Sequence, residues 1–295
     1  MLGRCGVTDP HIESLQVPLT HQRTPDIIQN AWLQTSPEYA MKRLLAAYPQ
    51  DMYQITPVFR AGDVSQLHRP EFTLLEWYRL DWDHHRLMQE VIALINQVNL
   101  ALQQPVLPEP LLITYQQAFQ TVLQLDPLST DVISVQKRLT QLGHQPSLAI
   151  ADPLDIWLDY ALSFHVLPTL SESHLLIMLY DYPVSQAALA RVTHNALGQA
   201  VAARFECILN GIELANGFHE LQDAQQQRAR FKQNQHSRQM QHQTPMAIDE
   251  NLLAALDTLP DCAGVALGLD RLLMVLTGCD SLQPVISFAN ECFKA

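Results

Sequence analysis

Residues 68–78, HRPEFTLLEWY, restrict both the fold and the chemistry of this chain more than any other stretch. Aromatic and branched apolar residues dominate the stretch, which predicts a β-strand. Side chains two positions apart lie on the same face of a strand. One face therefore carries Phe72, Leu74, Glu76 and Tyr78. Because an unpaired buried carboxylate is costly or becomes protonated, this face indicates a pocket that binds a cation.

The other segments predict strands and helices that do not alternate regularly. A helix is expected at 37–48. A strand at 52–60 is expected to form an antiparallel hairpin with the strand at 68–78, across a polar loop. A helix at 84–103 is followed by helical segments to about residue 170. Further on we expect a buried strand at 174–183, strands with glycine turns at 203–221, a solvated helix at 222–243, and a strand followed by a helix at 261–278. This order favours an α+β fold with an antiparallel sheet flanked by helices over a doubly wound sheet.

Composition excludes several classes of protein. The chain has 295 residues and is 47% hydrophobic, enough for one large domain or two small ones. A net charge of −12 argues against nonspecific adhesion to nucleic acid, although it does not exclude a local basic groove. Neither a signal segment nor a membrane span is expected. The five cysteines have no CxxC spacing, which favours a reducing compartment and hence the cytoplasm.

The histidines give no metal pattern. Twelve are scattered along the chain without an HExxH motif. His84 and His85 are adjacent, and neighbours on a helix do not converge on one ion. The sequence therefore predicts no structural metal.

Three clusters need to be considered together, since each alone is as consistent with a core strand that carries a stray charge. They are FR at 59–60 with HRPEFTLLEWY, GIELANGFHEL at 211–221, and GVALGLDR at 264–271. In this order they resemble motif 2, the acidic strand before motif 3, and motif 3 of the class II aminoacyl-tRNA synthetases of the lysyl type. TSPEYAMKRLL, at 35–45, resembles the amino-acid-binding segment of that family.

A shortened branch of the lysyl type is the closest resemblance, covering about residue 5 to the C-terminus. It rests on SPEYAMKRLL, HRPEFTLLEWYR, YPVSQAALA and GIELANGFHELQDA. Members of this branch attach (R)-β-lysine to a lysine of translation elongation factor P. The resemblance implies a single class II catalytic domain over 1–295 with a mainly helical insertion at about 84–170. It also implies an ATP-dependent, AMP-forming ligase that uses magnesium and does not act on tRNA.

The resemblance assigns ATP to one group of residues. Arg60 is expected to hold the α-phosphate and the substrate carboxylate, as a guanidinium can. Phe72 is expected to stack under adenine, with Arg271 over the other face and near the γ-phosphate. Glu213 resembles the acid that holds magnesium on the triphosphate, so Arg60, Arg271 and Glu213 are the catalytic candidates. The other expected ATP contacts are Ala61, Gly62, Asp63, His68, Arg69, Leu214 and Gly268.

A second group is assigned to the amino acid. Glu76, Tyr78 and Glu220 resemble the residues that receive the distal ammonium. Glu38 and Asn216 are expected nearer the other amine. Ser36, Pro37 and Ala266 complete the expected substrate contacts. Two acids around one ammonium would give selectivity, because a substrate without that amine leaves both carboxylates unpaired.

Ala266 bears on the choice of substrate. Lysyl-tRNA synthetases usually have glycine at the matching position, and the added methyl group would narrow the pocket. Overpacking of this kind costs about 1 to 3 kcal/mol, roughly tenfold to 200-fold in selectivity, and favours β-lysine over α-lysine. The alternative is that Ala266 is simply a small strand residue.

Two departures from the family pattern keep other functions open. Motif 2 normally reads Arg-x-Glu, but Gly62 occupies the glutamate position and Asp63 is one residue further on. The usual HNPEF is also replaced by HRPEF, which places Arg69 where the family has asparagine. VTDPHIESLQV resembles the stretch just after motif 1, so motif 1, which builds the dimer interface, is missing. Either the true start lies upstream, or the chain is a shortened, poorly active paralogue. A homodimer remains possible, and a tRNA ligase or a non-catalytic ligand-binding paralogue remain the alternatives.

Overall fold

The structure is a computed structural model that describes residues 2–21, 24–62 and 64–287. Its strands and helices in chain order are β1 (Leu2–Gly3), β2 (Gln16–His21), β3 (Thr24–Leu33), α1 (Glu38–Ala47), β4 (Met52–Phe59), β5 (Glu71–Leu80), α2 (His84–Ala101), β6 (Leu111–Thr114), α3 (Tyr115–Leu123), α4 (Val132–Gln141), α5 (Leu154–Ala161), α6 (Leu167–Ser171), β7 (Leu176–Tyr182), β8 (Val192–His194), β9 (Ala200–Leu209), β10 (Ile212–His219), α7 (Ala224–Met240), α8 (Glu250–Leu256), β11 (Cys262–Gly268) and α9 (Leu269–Leu276). A π-helical turn occupies Leu162–Val166.

The chain divides into two compact units. Unit 1 comprises residues 1–82 and 220–295, and unit 2 comprises residues 83–219. Unit 1 contains a three-stranded antiparallel sheet in the order β1-β3-β2. It also contains β4, β5 and β11, with β5 antiparallel to both of the others. The central strand β5 is therefore paired with segments that lie on opposite sides of unit 2 in the sequence.

Unit 2 is a sheet covered by helices. Its strand order is β10-β9-β7-β6, and β8 pairs with β9. A hydrophobic cluster buries large side chains such as Tyr115, Phe119 and Trp157, each of them 0% exposed. These apolar helix faces supply most of the driving force for this unit, since burial of aromatic and aliphatic area dominates folding.

The predicted α+β class is confirmed, with one difference in the sheet. Within each unit, the strand pairs of the described residues are antiparallel except β6 with β7, which is parallel. The segment between these two strands contains α3 to α6, which is long enough for the crossover that a parallel pair requires. The hairpin of β4 and β5 and the predicted helices at α1 and α2 are confirmed. A single domain with a helical insertion stays a prediction.

The solvated helix expected at 222–243 is α7, but its interpretation as wholly solvated is wrong. Gln227, Phe231 and Arg238 are buried on one of its faces. The guanidinium of Arg238 is 2.6 Å from Glu13 Oε2 and also donates to backbone carbonyls, which compensates for its burial. Composition missed this face because a buried arginine is indistinguishable in sequence from a surface one.

Across the residues that the structure describes, no helix is both long enough and apolar enough to cross a membrane.

Candidate active site

The strand β5 buries a carboxylate and a phenol side by side in unit 1. Leu74, Glu76 and Tyr78 are only 5%, 2% and 2% exposed, as expected for one inward face. The Tyr78 hydroxyl donates a hydrogen bond of 2.8 Å to Glu76 Oε1. Glu76 Oε2 is buried and has no hydrogen-bond partner among the described residues. An acceptor left in this state is costly, which points to a ligand that supplies a donor.

A buried lysine joins two further carboxylates at this place. Lys42 Nζ lies 2.7 Å from Glu38 Oε1 and 2.6 Å from Glu220 Oε2, and its side chain is 1% exposed. We call Glu38, Glu76 and Glu220 the acidic cage. Lys42 was not among the residues selected from the sequence. The spacing of four between Glu38 and Lys42 on a predicted helix was the available signal.

The charges of the cage do not balance. Burial lowers the pKa of Lys42, but the Glu220 and Glu38 carboxylates outweigh it and raise the pKa overall, so Lys42 stays charged. Burial and the charge of Glu38 raise the pKa of Glu76 well above its ordinary value, although the Tyr78 hydrogen bond and Lys42 oppose the shift. Three carboxylates thus face one ammonium among the described residues. The arrangement can accept a further cationic group.

Gly264 makes room for the cage. It lies opposite Tyr78 in the pairing of β11 with β5. A Cβ at Gly264 would overlap Tyr78 Cε1 and would lie 2.5 Å from Glu220 Oε1, closer than real Cβ contacts. A glycine inside an apolar strand is the sequence signal for such a close approach, and it was not used.

The expected ATP residues of unit 1 are partly brought together. The Arg60 guanidinium lies over the Phe72 ring, 5.1 Å from its centroid, and Arg60 Nε donates to the Thr35 carbonyl at 3.2 Å. Arg271 Nε donates at 3.2 Å to the carbonyl of Leu67, in the loop before β5. The structure thus places the Arg60 guanidinium against the Phe72 ring. The stacking of adenine between Phe72 and Arg271 stays a prediction.

Besides Arg60, the loop between β4 and β5 carries five of the predicted ATP contacts: Ala61, Gly62, Asp63, His68 and Arg69. Asp63 lies outside the described residues. Gly62 has a φ of 144°, a conformation that other residues rarely adopt. His68 Nδ1 lies 2.9 Å from Ser65 Oγ, and Arg69 Nε is buried without a hydrogen-bond partner among the described residues. This nitrogen is a donor that an anionic group could satisfy.

The remaining predicted residues of unit 1 lie at element ends or in the strand pairing. Pro37 caps the N-terminus of α1, and Ser36 Oγ accepts a hydrogen bond of 3.4 Å from the Glu38 amide. Gly268 precedes the first residue of α9. Ala266 is opposite Glu76 in the pairing of β11 with β5. This register places the Ala266 position beside the acidic cage.

Three predicted residues belong to β10 in unit 2. Glu213 is exposed beside a β-bulge, and Leu214 is buried. Asn216 Oδ1 accepts a hydrogen bond of 3.3 Å from Arg204 Nε. The exposed carboxylate of Glu213 is a suitable oxygen ligand for magnesium. Its assignment to the metal, and that of Asn216 to the substrate, stay predictions.

A separate cavity of about 730 Å³ lies elsewhere in unit 1. Its wall includes Arg4, Ser36, Arg43 and Asp249. Of the predicted substrate contacts, its wall contains Ser36 alone, so the cavity is not the acidic cage.

The whole-chain comparison agrees with this geometry. The family model described as class II tRNA synthetases (D, K and N) matches residues 13–291, and the chain belongs to this family. A curated relative is the elongation factor P–(R)-β-lysine ligase of Salmonella gallinarum (strain 287/91 / NCTC 13346). It is 43% identical over 263 residues, which are 89% of this chain and 78% of the relative. The resemblance predicted from the motifs is confirmed.

Proposed function

We propose that this protein is an ATP-dependent ligase that activates (R)-β-lysine and transfers it to a lysine side chain of translation elongation factor P. The observation that carries the proposal is the acidic cage, in which a buried oxygen of Glu76 has no hydrogen-bond partner among the described residues. The relative at 43% identity supports the same substrate and acceptor.

The cage recognises the distal ammonium by charge and hydrogen bonding. Glu76 Oε2 would accept from the substrate ammonium, while Tyr78 continues to hold the other oxygen. Lys42 keeps Glu38 and Glu220 in place through contacts of 2.7 and 2.6 Å. The incoming charge would lower the raised pKa of Glu76 and return the group to its ionised form. A substrate that lacks this amine would not offset the cost of the ionised cage.

Arginines would organise the chemical step. Arg60 is suited to hold the substrate carboxylate against the α-phosphate, and its position over Phe72 keeps it near the predicted adenine face. The carboxylate attacks the α-phosphorus, pyrophosphate leaves, and an acyl adenylate forms. The acceptor lysine amine then attacks the acyl carbon, and AMP leaves. Glu213 would hold the magnesium ion, which when bound would neutralise charge on the triphosphate.

Activation is tested with purified protein by ATP–pyrophosphate exchange in the presence of (R)-β-lysine. We expect exchange with the wild type. Glu220→Gln should lose about 2 to 4 kcal/mol of transition-state stabilisation, which lowers kcat/KM roughly 30-fold to 800-fold, because the change breaks a buried charge pair. Glu109→Gln, which changes an exposed glutamate, is the matched control and should behave as the wild type. Unchanged kinetics in Glu220→Gln would remove this residue from the site.

The same assay separates the alternatives. No exchange by the wild type above an Arg271→Ala control would leave the non-catalytic binding protein. Exchange with transfer to lysine tRNA, and none to elongation factor P, would instead identify a tRNA ligase.

Action on a translation factor places the proposed protein in the cytoplasm. A homodimer is also proposed, from the family, and light scattering would test it.

A further inference from the structure

Three potential metal ligands meet in unit 2, within residues 83–219. One donor atom from each of His84, His85 and Asp181 lies within 4.8 Å of the other two. His84 Nε2 is 3.2 Å from Asp181 Oδ1, and the rings of His84 and His85 have centroids 4.0 Å apart. None of these residues belongs to the predicted ATP or substrate contacts.

The expectation that neighbouring histidines diverge on a helix is therefore wrong here. His84 and His85 are the first two residues of α2, which Asp83 caps through a hydrogen bond to the Arg86 amide. Residues in the first turn have no preceding helical turn to restrict their rotamers. Their side chains can thus lie close together, whereas side chains of adjacent residues in a helix interior point apart.

The backbone around Asp181 turns its side chain toward the histidines. Asp181 has a φ of 57°, and the pairing of β7 with β9 is irregular between Tyr180 and Tyr182. A bulge of this kind re-aims one side chain out of the strand alternation. The left-handed conformation is uncommon for residues other than glycine, and aspartate and asparagine tolerate it best.

Two of the three residues are largely buried, and His85 is exposed. His84 is 4% exposed and Asp181 is 9% exposed. His84 Nδ1 is buried and has no hydrogen-bond partner among the described residues. One ion cannot bind both nitrogens of a ring, so His84 would bind it through Nε2, the nitrogen beside Asp181, and Nδ1 would then carry the ring proton.

We propose that His84, His85 and Asp181 bind a divalent transition-metal ion, with zinc as the best match to two imidazoles and one carboxylate. Bonds of about 2.0 to 2.2 Å separate the ligand atoms of a tetrahedral zinc ion by about 3.4 Å. The His84–Asp181 distance of 3.2 Å already fits this value. Side-chain rotation would bring the donor atom of His85, which lies within 4.8 Å of the other two, to the same separation. The fourth position would be filled by water or by His219, whose ring centroid is 6.5 Å from that of His84.

The local charge supports a cation. The positive N-terminal end of the α2 dipole opposes cation binding, but that end carries only about half a charge. Asp181 lies among the ligands and Asp83 lies at the start of the same helix. The ion would tie the start of α2 to the irregular part of β7. This site differs from the magnesium that accompanies ATP, because magnesium prefers oxygen ligands.

The test is zinc binding to untagged, chelator-treated protein, measured by isothermal titration calorimetry. We expect one equivalent of zinc with a dissociation constant below about 10 µM for the wild type. His85→Gln and Asp181→Asn should each weaken binding at least about tenfold. Asparagine is chosen because it tolerates the left-handed backbone of Asp181. His236→Gln, at an exposed histidine of α7, is the control and should bind as the wild type.

Cobalt substitution gives a second readout that does not depend on affinity. The wild type with cobalt should show the visible absorption of a tetrahedral site, and the two ligand variants should lose it. Circular dichroism of each metal-free variant establishes that it is folded, and His85→Gln alone decides the matter if Asp181→Asn does not fold. Equal binding by all four proteins would mean adventitious contact with scattered histidines. That result, or no binding by the wild type, would overturn the proposal.

Discussion

The Glu76 carboxyl group receives a hydrogen bond from Tyr78, and its second oxygen is buried with no such bond among the described residues. Burial and the neighbouring charge of Glu38 raise its pKa above the ordinary value of 4.5. Ionising the group in the empty protein therefore costs free energy, which a bound ammonium would offset. Binding sites often sacrifice stability in this way.

Glu76→Gln should reveal this cost as a function of pH. The folded-state pKa of Glu76 is raised, so its stabilising contribution is complete below about pH 4.5 and is lost as the pH rises through the folded pKa. Glutamine does not titrate. The free energy of unfolding of Glu76→Gln relative to the wild type should thus increase between about pH 5 and about pH 8. Urea unfolding across this range measures it, and a difference that does not vary with pH would contradict the raised pKa.

Gly264→Ala tests the close packing around the cage. The added methyl group must displace both the Tyr78 ring and the Glu220 carboxylate, because both overlap the position of its Cβ. We expect a loss of about 1 to 3 kcal/mol in the free energy of unfolding and a rise in KM for (R)-β-lysine. Thermal unfolding and steady-state exchange measure the two effects.

Ala266→Gly on the same strand is the comparison for Gly264→Ala. It removes a methyl group opposite Glu76, so it should keep the fold and activity while reducing the preference for β-lysine over α-lysine. If Gly264→Ala were as stable and active as the wild type, the contact geometry at Gly264 would be wrong.

At the scale of elements, α7 shows what periodicity can and cannot reveal. Its many glutamines and arginines correctly predict a helix, but they do not show which arginine is buried. Arg238 is 0% exposed and is held by Glu13 and the carbonyls of Asp9 and Thr244. Two of these partners, Glu13 and Asp9, come from a segment that no local pattern connects to α7. The pairing of Lys42 with Glu220 is hidden for the same reason, whereas its pairing with Glu38 follows from their spacing of four on a helix.

Arg238→Ala should destabilise unit 1 by about 2 to 4 kcal/mol, since it removes a fully buried side chain together with its hydrogen bonds to partly buried acceptors. Arg228→Ala on the same helix is the matched control. Arg228 pairs with Glu250 at an exposed position, where water replaces the lost contact, so little change is expected. Chemical denaturation of both variants measures the difference, and equal destabilisation would show that burial of Arg238 contributes nothing.

For the molecule as a whole, local patterns predict most elements and the motif resemblance predicts the site, but neither predicts which distant segments meet. Alternation on β5 indicated that Glu76 and Tyr78 share a face, which the hydrogen bond between their side chains confirms. The position of Gly264 against Tyr78 depends on the pairing of β5 with β11. The approach of Asp181 to His84 depends on an irregular backbone in β7. Such features arise from tertiary packing, which sequence periodicity does not encode.

The division of unit 1 between two parts of the sequence has a consequence for synthesis on the ribosome. Strand β5 can pair with β4 at once, but β11 is synthesised roughly 10 to 40 s later. During that interval the other edge of an aromatic-rich strand is open to wrong partners. Unit 2 is contiguous and can fold first. The yield of folded protein in cells should therefore depend on how well nascent residues 71–80 are shielded.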